Sequence, residues 1–257
     1  MAENKQLGVV LLVVAAGLAF WQFGGKDSDD TNKVDDKITT VQLATGGRSD
    51  ITIKVSDDDT TTVQEQRKYW FFKRGDAYSV KDGVLKLDGD CGWQCSADFE
   101  VTVPRGTKVT GENGSGDLEL SGVAGVDVKS RSGEVTLREI NGDVNLDLTS
   151  GDVSVSDLTG KLDVKANSGD IEAAGLKGGP VNVETSSGDM ELQLAEANDV
   201  RVKGTSGDIE ITAPGGDYKV STESRTGDVE NSLGNSADAS HSLSATTTSG
   251  DIELHAR

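Results

Sequence analysis

The chain is short of the cysteine and histidine from which zinc and redox sites are built. Its 257 residues include only two cysteines and two histidines, too few for a zinc framework or a disulfide-dense miniprotein. Cations are scarce as well. Lys and Arg number 25 against 44 Asp and Glu, a formal charge of −19. This excludes nucleic acid as a partner, because phosphate contacts need a concentrated cationic face. Aromatics amount to three Trp, three Tyr and five Phe, so a core must be made mainly of Val, Ile and Leu. Beyond the N-terminus there is no helical period of useful length. Glycine is what the chain has in excess: 32 residues, well above the usual share of about 7%.

The one long apolar run, residues 7–23, carries no charge and is followed by Gly24 and Gly25. As a helix it would span about 25 Å, near the lower limit for crossing a bilayer. A cleaved signal peptide would use Ala15-Ala16-Gly17, leaving Phe20, Trp21 and Phe23 on the mature end. Those aromatics fit better as the interfacial belt of an uncleaved anchor. The expected organisation is a cytoplasmic tail (1–6), a transmembrane signal anchor (7–25) and a flexible acidic linker (26–37). An irregular β lead-in and N-terminal cap (38–104) and a repeat body (105–257) follow. The membrane is thus a partner through this helix, with the body extracytoplasmic and single-pass anchorage in a bacterial cell membrane. A cleaved and secreted form is the alternative. No cysteine follows the apolar run, which excludes a lipoprotein-type attachment. Cys91 and Cys95, in CGWQC, are expected to form a local disulfide around Trp93. A redox-active pair is the other reading, but the spacing is not CxxC.

From residue 111 onward a tripeptide of Ser or Thr, Gly and an acid recurs. Its glycines are Gly116, Gly133, Gly151, Gly169, Gly188, Gly207, Gly227 and Gly250, a period of about 18 to 19 residues that marks a solenoid. A weaker turn at Gly125, Gly142, Gly160, Gly179, Asn198-Asp199 and Gly216 halves each repeat. Between turns, apolar residues alternate, as in Val135 and Leu137 or Val181 and Val183, the pattern of strands with one buried face. A further column, Val123, Ile140, Leu158 and Leu176, is placed at a corner. The fold class is therefore all-β, a parallel β-solenoid (β-helix) of about seven or eight coils, with right-handed coiling expected. The glycines are structural, because a corner with φ > 0 repels any β-carbon, and the acids after them accept from backbone N–H groups. Residues 38–104 hold most of the aromatics and are expected to cap the N-terminal end; Trp70-Phe71-Phe72 as a binding patch is the alternative. The interval 228–248 is expected to be looped out or distorted, and the last strand, Asp251 to His255, to lie at an exposed edge open to dimerisation.

Stacking aligns the corner acids into a column. Calcium is the sharper reading of it, with Asp152, Asp170, Asp189 and Asp208 as candidate ligands, yet the match to the calcium-binding β-roll repeat is only Gly-Asp. A solvated acidic face without cofactor is the plainer reading. A solenoid polysaccharide-degrading enzyme would need paired carboxylates beside aromatic platforms, and no aromatic occurs between Phe99 and Tyr218. Neither His241 nor His255 sits with a nucleophile, so no catalysis is expected.

The serial units SGDLEL, SGDVSV, SGDIEA, SGDMEL, SGDIEI and SGDIEL, preceded by FEVTVPRGTKV, resemble the exported bacterial putative-adhesin family of β-strand-repeat proteins, a domain of unknown function. The resemblance covers about residues 38–257. It implies a β-solenoid behind a signal or membrane segment, with no catalytic residues to carry over. The expected function is a membrane-anchored, extracytoplasmic interaction module that binds an envelope protein or polysaccharide. A regulatory or assembly partner of another envelope protein is the alternative.

Overall fold

Alternating apolar residues need a second surface against which to bury their shared face, and here that surface is the other half of the same repeat. A computed structural model describes residues 26–69, 77–89, 95–216 and 218–257. Its strands form two facing sheets, one of 12 strands and one of 11. The expected anchor (7–25), Trp70-Phe71-Phe72, Cys91 and Trp93 lie outside the described residues. Cys95 opens a strand, Cys95–Pro104. Among the described residues no helix is long and apolar enough to cross a membrane.

Each coil contributes one strand to each sheet, and ten coils stack in parallel register. From the N-terminal end, coil 1 is Val84–Leu87 with Cys95–Pro104, and coil 2 is Thr40–Arg48 with Ile51–Ser56. Coil 3 is Lys108–Ser115 with Leu118–Ser121, coil 4 Val126–Ser132 with Val135–Arg138, and coil 5 Val144–Ser150 with Val153–Ser156. Coil 6 is Leu162–Ser168 with Ile171–Leu176, coil 7 Val181–Ser187 with Met190–Leu194, and coil 8 Val200–Lys203 with Ile209–Ala213. Coil 9 is His241–Ser249 with Ile252–Ala256, and coil 10 is Tyr218–Thr226 with Val229–Asn231. The repeat body therefore supplies eight coils, as its eight tripeptides imply. The apolar columns fill the space between the sheets, and Val123, Ile140, Leu158 and Leu176, each at most 1% exposed, plug one corner.

Three expectations are corrected. Residues 38–104 are only in part a cap: Thr40–Arg48, Ile51–Ser56, Val84–Leu87 and Cys95–Pro104 form coils 1 and 2 in the same two sheets. The capping strands run antiparallel, two of them from this same segment: Lys26–Val34 on Thr61–Tyr69, Thr61–Tyr69 on coil 1, and Tyr78–Lys81 on coil 1. The first of these occupies most of the segment expected as a flexible linker. Its polar sequence hid it because an edge strand is held by its backbone ladder and needs no apolar face. Within this end Glu65 and Arg67 point inward as a buried ion pair, and the Ala77 N–H donates to Glu65 Oε2.

The third correction concerns chain order. The strand at Ile252–Ala256 is not an edge: it pairs with Ile209–Ala213 on one side and Val229–Asn231 on the other. Coil 9, last in sequence, is inserted between coils 8 and 10. Burial accounts for the exchange. Coil 9 turns Leu243, Ala245, Ile252 and Leu254 inward, all at most 1% exposed. Coil 10 offers Thr222, Ser224 and Asn231 at the equivalent inward places, and Val229 there is 44% exposed. The polar coil covers the end and the apolar coil is enclosed. Residues 232–240 then fold over the end, with Leu233 buried. The Asn235 side chain bonds both the N–H and the carbonyl of Val220, at 3.1 and 3.4 Å.

The opposite end repeats the arrangement. Coil 2, first in sequence, lies between coils 1 and 3. Single residues brace both exchanges. Thr107 donates to the carbonyls of Pro104 and Ile38, tying the exit of coil 1 to the entry of coil 2. Tyr218 of coil 10 packs on His241 of coil 9, and its hydroxyl accepts from the Asn198 N–H beside coil 8.

Candidate functional site

The solenoid's chemistry lies at its glycine corners and on its two outer faces. All eight corner glycines have φ between +109° and +145°, as a left-handed corner requires. Stacking adds a second demand that the period alone does not reveal. A β-carbon at Gly188 would lie 2.1 Å from the carbonyl oxygen of Gly169, and one at Gly250 would lie 2.1 Å from that of Gly207. Only hydrogen fits between successive corners.

Behind the glycines the acids form a hydrogen-bonded ladder. The Asp189 N–H donates to Asp170 Oδ1 at 2.9 Å, and the Asp208 N–H donates to Asp189 Oδ1 at 2.8 Å. The ladder follows spatial rather than chain order, with Asp251 on Asp208 and Asp228 on Asp251. Two members were missed from sequence: Asp117 donates to Asp50, and Asp50 to Asp98. They lack the preceding glycine, but each opens an acid-apolar-x-apolar run, Asp50-Ile51-Thr52-Ile53 and Asp98-Phe99-Glu100-Val101. That shorter signature was the available signal. Asp152, Asp170, Asp189 and Asp208, the calcium candidates, each accept a backbone N–H from the next coil. Among the described residues no group of three or more His, Cys, Asp or Glu side chains is placed to hold a metal.

The two outer faces differ in charge pattern. On the 12-stranded sheet, Glu172, Glu191, Glu210, Glu253 and Glu230 are direct neighbours on coils 6 to 10. With the corner acids of those coils they make a strip of paired carboxylates. Carboxylates about 5 Å apart repel by roughly 0.8 kcal/mol in water, screened over about 8 Å at physiological salt, which a solvated face tolerates. His255 stands beside this strip, 3.2 Å from Glu253 and 3.7 Å from Glu210. On the 11-stranded sheet the signs alternate: Glu112, Lys129, Asp147, Lys165, Glu184 and Lys203 succeed one another on coils 3 to 8. Lys203 bonds Glu184 at 2.8 Å and holds that carboxyl below its ordinary value. Each lysine of this column has an acid as its neighbour, which makes the column electrically quiet beside the carboxylate strip.

Asp199, at the second corner, joins coil 8 to the inserted coil 9. Its Oδ1 accepts from the Ser242 N–H at 2.8 Å and from the Ser242 hydroxyl at 3.0 Å. These two bonds, backbone first, hold its carboxyl below the ordinary value of 3.8. A carboxyl depressed by folding contributes stability above its unfolded pKa, and loses it as pH falls through the folded value. The contribution is therefore complete at neutral pH and disappears in acid below about pH 3.8. Asp199→Asn should lower Tm slightly at pH 7 and flatten its fall in acid below about pH 3.8. Thermal melts across that range check this; parallel curves for the two proteins would contradict it.

The profile of the Toastrack DUF4097 family matches residues 33–256, most of the chain. No curated protein matches it significantly. Among solved structures, the chain is similar to a "putative adhesin" from Bacteroides fragilis NCTC 9343, with 15% identity and a TM-score of 0.45, covering 90% of this chain and 98% of the other. A "putative cell adhesion protein" from Clostridium sporogenes ATCC 15579 matches at 11% identity and a TM-score of 0.30, over 90% and 100% of the two chains. A "putative adhesin" from Parabacteroides merdae ATCC 43184 matches at 12% identity and 0.34, over 90% and 97%.

Proposed function

The chain belongs to the Toastrack DUF4097 family, and on that premise we propose that it is a membrane-anchored, extracytoplasmic interaction module, adhesin-like and without catalysis. The observation that carries this reading is the pair of long outer faces. Parallel coils about 4.8 Å apart present outward side chains in straight columns, so one contact chemistry recurs along the rod. The carboxylate strip on coils 6 to 10 selects ligands bearing cationic groups, and an envelope protein with exposed lysines and arginines fits it better than a neutral polysaccharide. Sugar binding draws on aromatic platforms, which the residues between Phe99 and Tyr218 do not include. The uncharged run at residues 7–23 supports attachment to the membrane, with the body held outside.

The test immobilises residues 26–257 and passes solubilised cell envelope over them. The expected result is protein that is retained at low salt, released by about 0.5 M NaCl, and lost when Glu191, Glu210 and Glu253 are all changed to Gln. No retained protein, or equal retention by the Gln variant, would overturn the proposal.

A further inference from the structure

The inverted order of the last two coils has a consequence beyond ligand binding. Coil 9 occupies a slot whose walls, coils 8 and 10, belong to an earlier stretch of chain. Among the described residues it is joined to them by one connection, residues 232–240. That loop is exposed apart from buried Leu233 and intermediate Ala239. Everything else that holds coil 9 is non-covalent and would be the same whichever copy supplied it. Leu243 and Ala245 face the core in register with Val200 and Val202 of coil 8, and Ile252 and Leu254 with Ile209 and Ile211. Gly250 packs against Gly207 and Gly227 against Gly250, Asp251 and Asp228 continue the corner ladder, and Ser242 binds Asp199.

We propose that coil 9 is an exchangeable insert, and that the slot between coils 8 and 10 accepts residues 241–257 from a second copy of this chain, producing strand-exchanged dimers. Exchange keeps every contact of the slot and changes only the path of the loop. The balance between closed monomer and exchanged dimer is then set by chain concentration and by how comfortably residues 232–240 make the return from coil 10. The slot discriminates against other segments. A donor must bring glycine at the corner, because a β-carbon at position 250 meets the Gly207 carbonyl. It must also bring apolar residues at alternate positions on both strands. Coil 10, the nearest competitor, meets the first condition with Gly227 but not the second, since its inward residues include Thr222, Ser224 and Asn231.

The test uses two preparations of the full chain, one carrying Arg201→Cys and the other Ser244→Cys, with distinguishable mass tags. These residues are direct neighbours across coils 8 and 9. Their Cα atoms are therefore about 4.8 Å apart, within disulfide reach. The single-chain double variant, Arg201→Cys with Ser244→Cys, first confirms that the positions join without disturbing the fold. The two single variants are then mixed at high concentration, carried through partial unfolding in urea, returned to buffer and oxidised. The expected product is a dimer whose mapped interchain bond is 201–244, and deleting residues 236–238 should raise its yield by about tenfold, because a shortened hinge favours exchange. A chain that stays monomeric throughout, or dimers linked without the 201–244 bond, would overturn the proposal.

Discussion

Gly188→Ala is expected to destabilise the protein by roughly 3 kcal/mol or more, a fall in Tm of about 6 to 12 °C for a chain of this size. Two costs combine. The residue has φ +127°, where a β-carbon is strained. That carbon would also lie 2.1 Å from the Gly169 carbonyl oxygen, which belongs to a corner repeated on both sides and so cannot yield alone. Gly106 is the control. It too has a positive φ, +86°, but nothing lies within 4 Å of a β-carbon built there, so Gly106→Ala should carry only the backbone cost of about 1 kcal/mol. Equal losses at the two positions would show that stacking adds nothing to the need for glycine. Denaturant titration of both variants decides it.

The second large effect separates coil 9 from coil 10. Leu254 is fully enclosed, and Leu254→Asn removes apolar contacts while burying an amide without designed partners. The expected cost is about 3 to 5 kcal/mol. Asn231 is the equivalent residue on the neighbouring strand, but it is exposed, and its side chain accepts from the N–H groups of Leu233 and Gly234 and donates to the Gly234 carbonyl. Asn231→Leu should therefore lose only these turn bonds, about 1 kcal/mol, and gain no core. Stacking the coils in chain order would reverse the ranking, because Asn231 would then be internal and Leu254 terminal. Equilibrium unfolding of the two variants measures the contrast.

The parts of this architecture that repeat were legible in the sequence. A period of 18 to 19 residues, with alternate apolar positions between glycine corners, is enough to require parallel coils, and the same period places the column of Val123, Ile140, Leu158 and Leu176 at a corner. Coils 1 and 2 were harder to see, since their corners lack the Gly-Asp step and their strands are separated by the capping strands Thr61–Tyr69 and Tyr78–Lys81. The strand Lys26–Val34 could not be read from KDSDDTNKV, whose order rests mainly on its backbone pairing with Thr61–Tyr69. Coil order was recoverable in principle. Thr222 and Asn231 break the apolar columns that Ala245 and Leu254 continue, which marks the earlier segment as the outer one. Of the candidate site, the corner acids were visible and their ladder was not, because the identity of each carboxylate's partner depends on which coil lies next. The alternating charges on the 11-stranded sheet escaped for the same reason: their order is a property of register, 17 to 19 residues apart in the chain.

Disulfide trapping within one chain tests the insertion of coil 9 directly. Arg201 neighbours Ser244 on coil 9, and Ser244 in turn neighbours Ser221 on coil 10. Positions 201 and 221 are thus two rungs apart, about 9.6 Å, outside the reach of a disulfide. At low chain concentration, oxidation of the Arg201→Cys, Ser244→Cys protein should give a rapid intrachain 201–244 bond. The Arg201→Cys, Ser221→Cys protein should give none. A 201–221 bond with no 201–244 bond would mean that the coils stack in chain order, and would contradict the account.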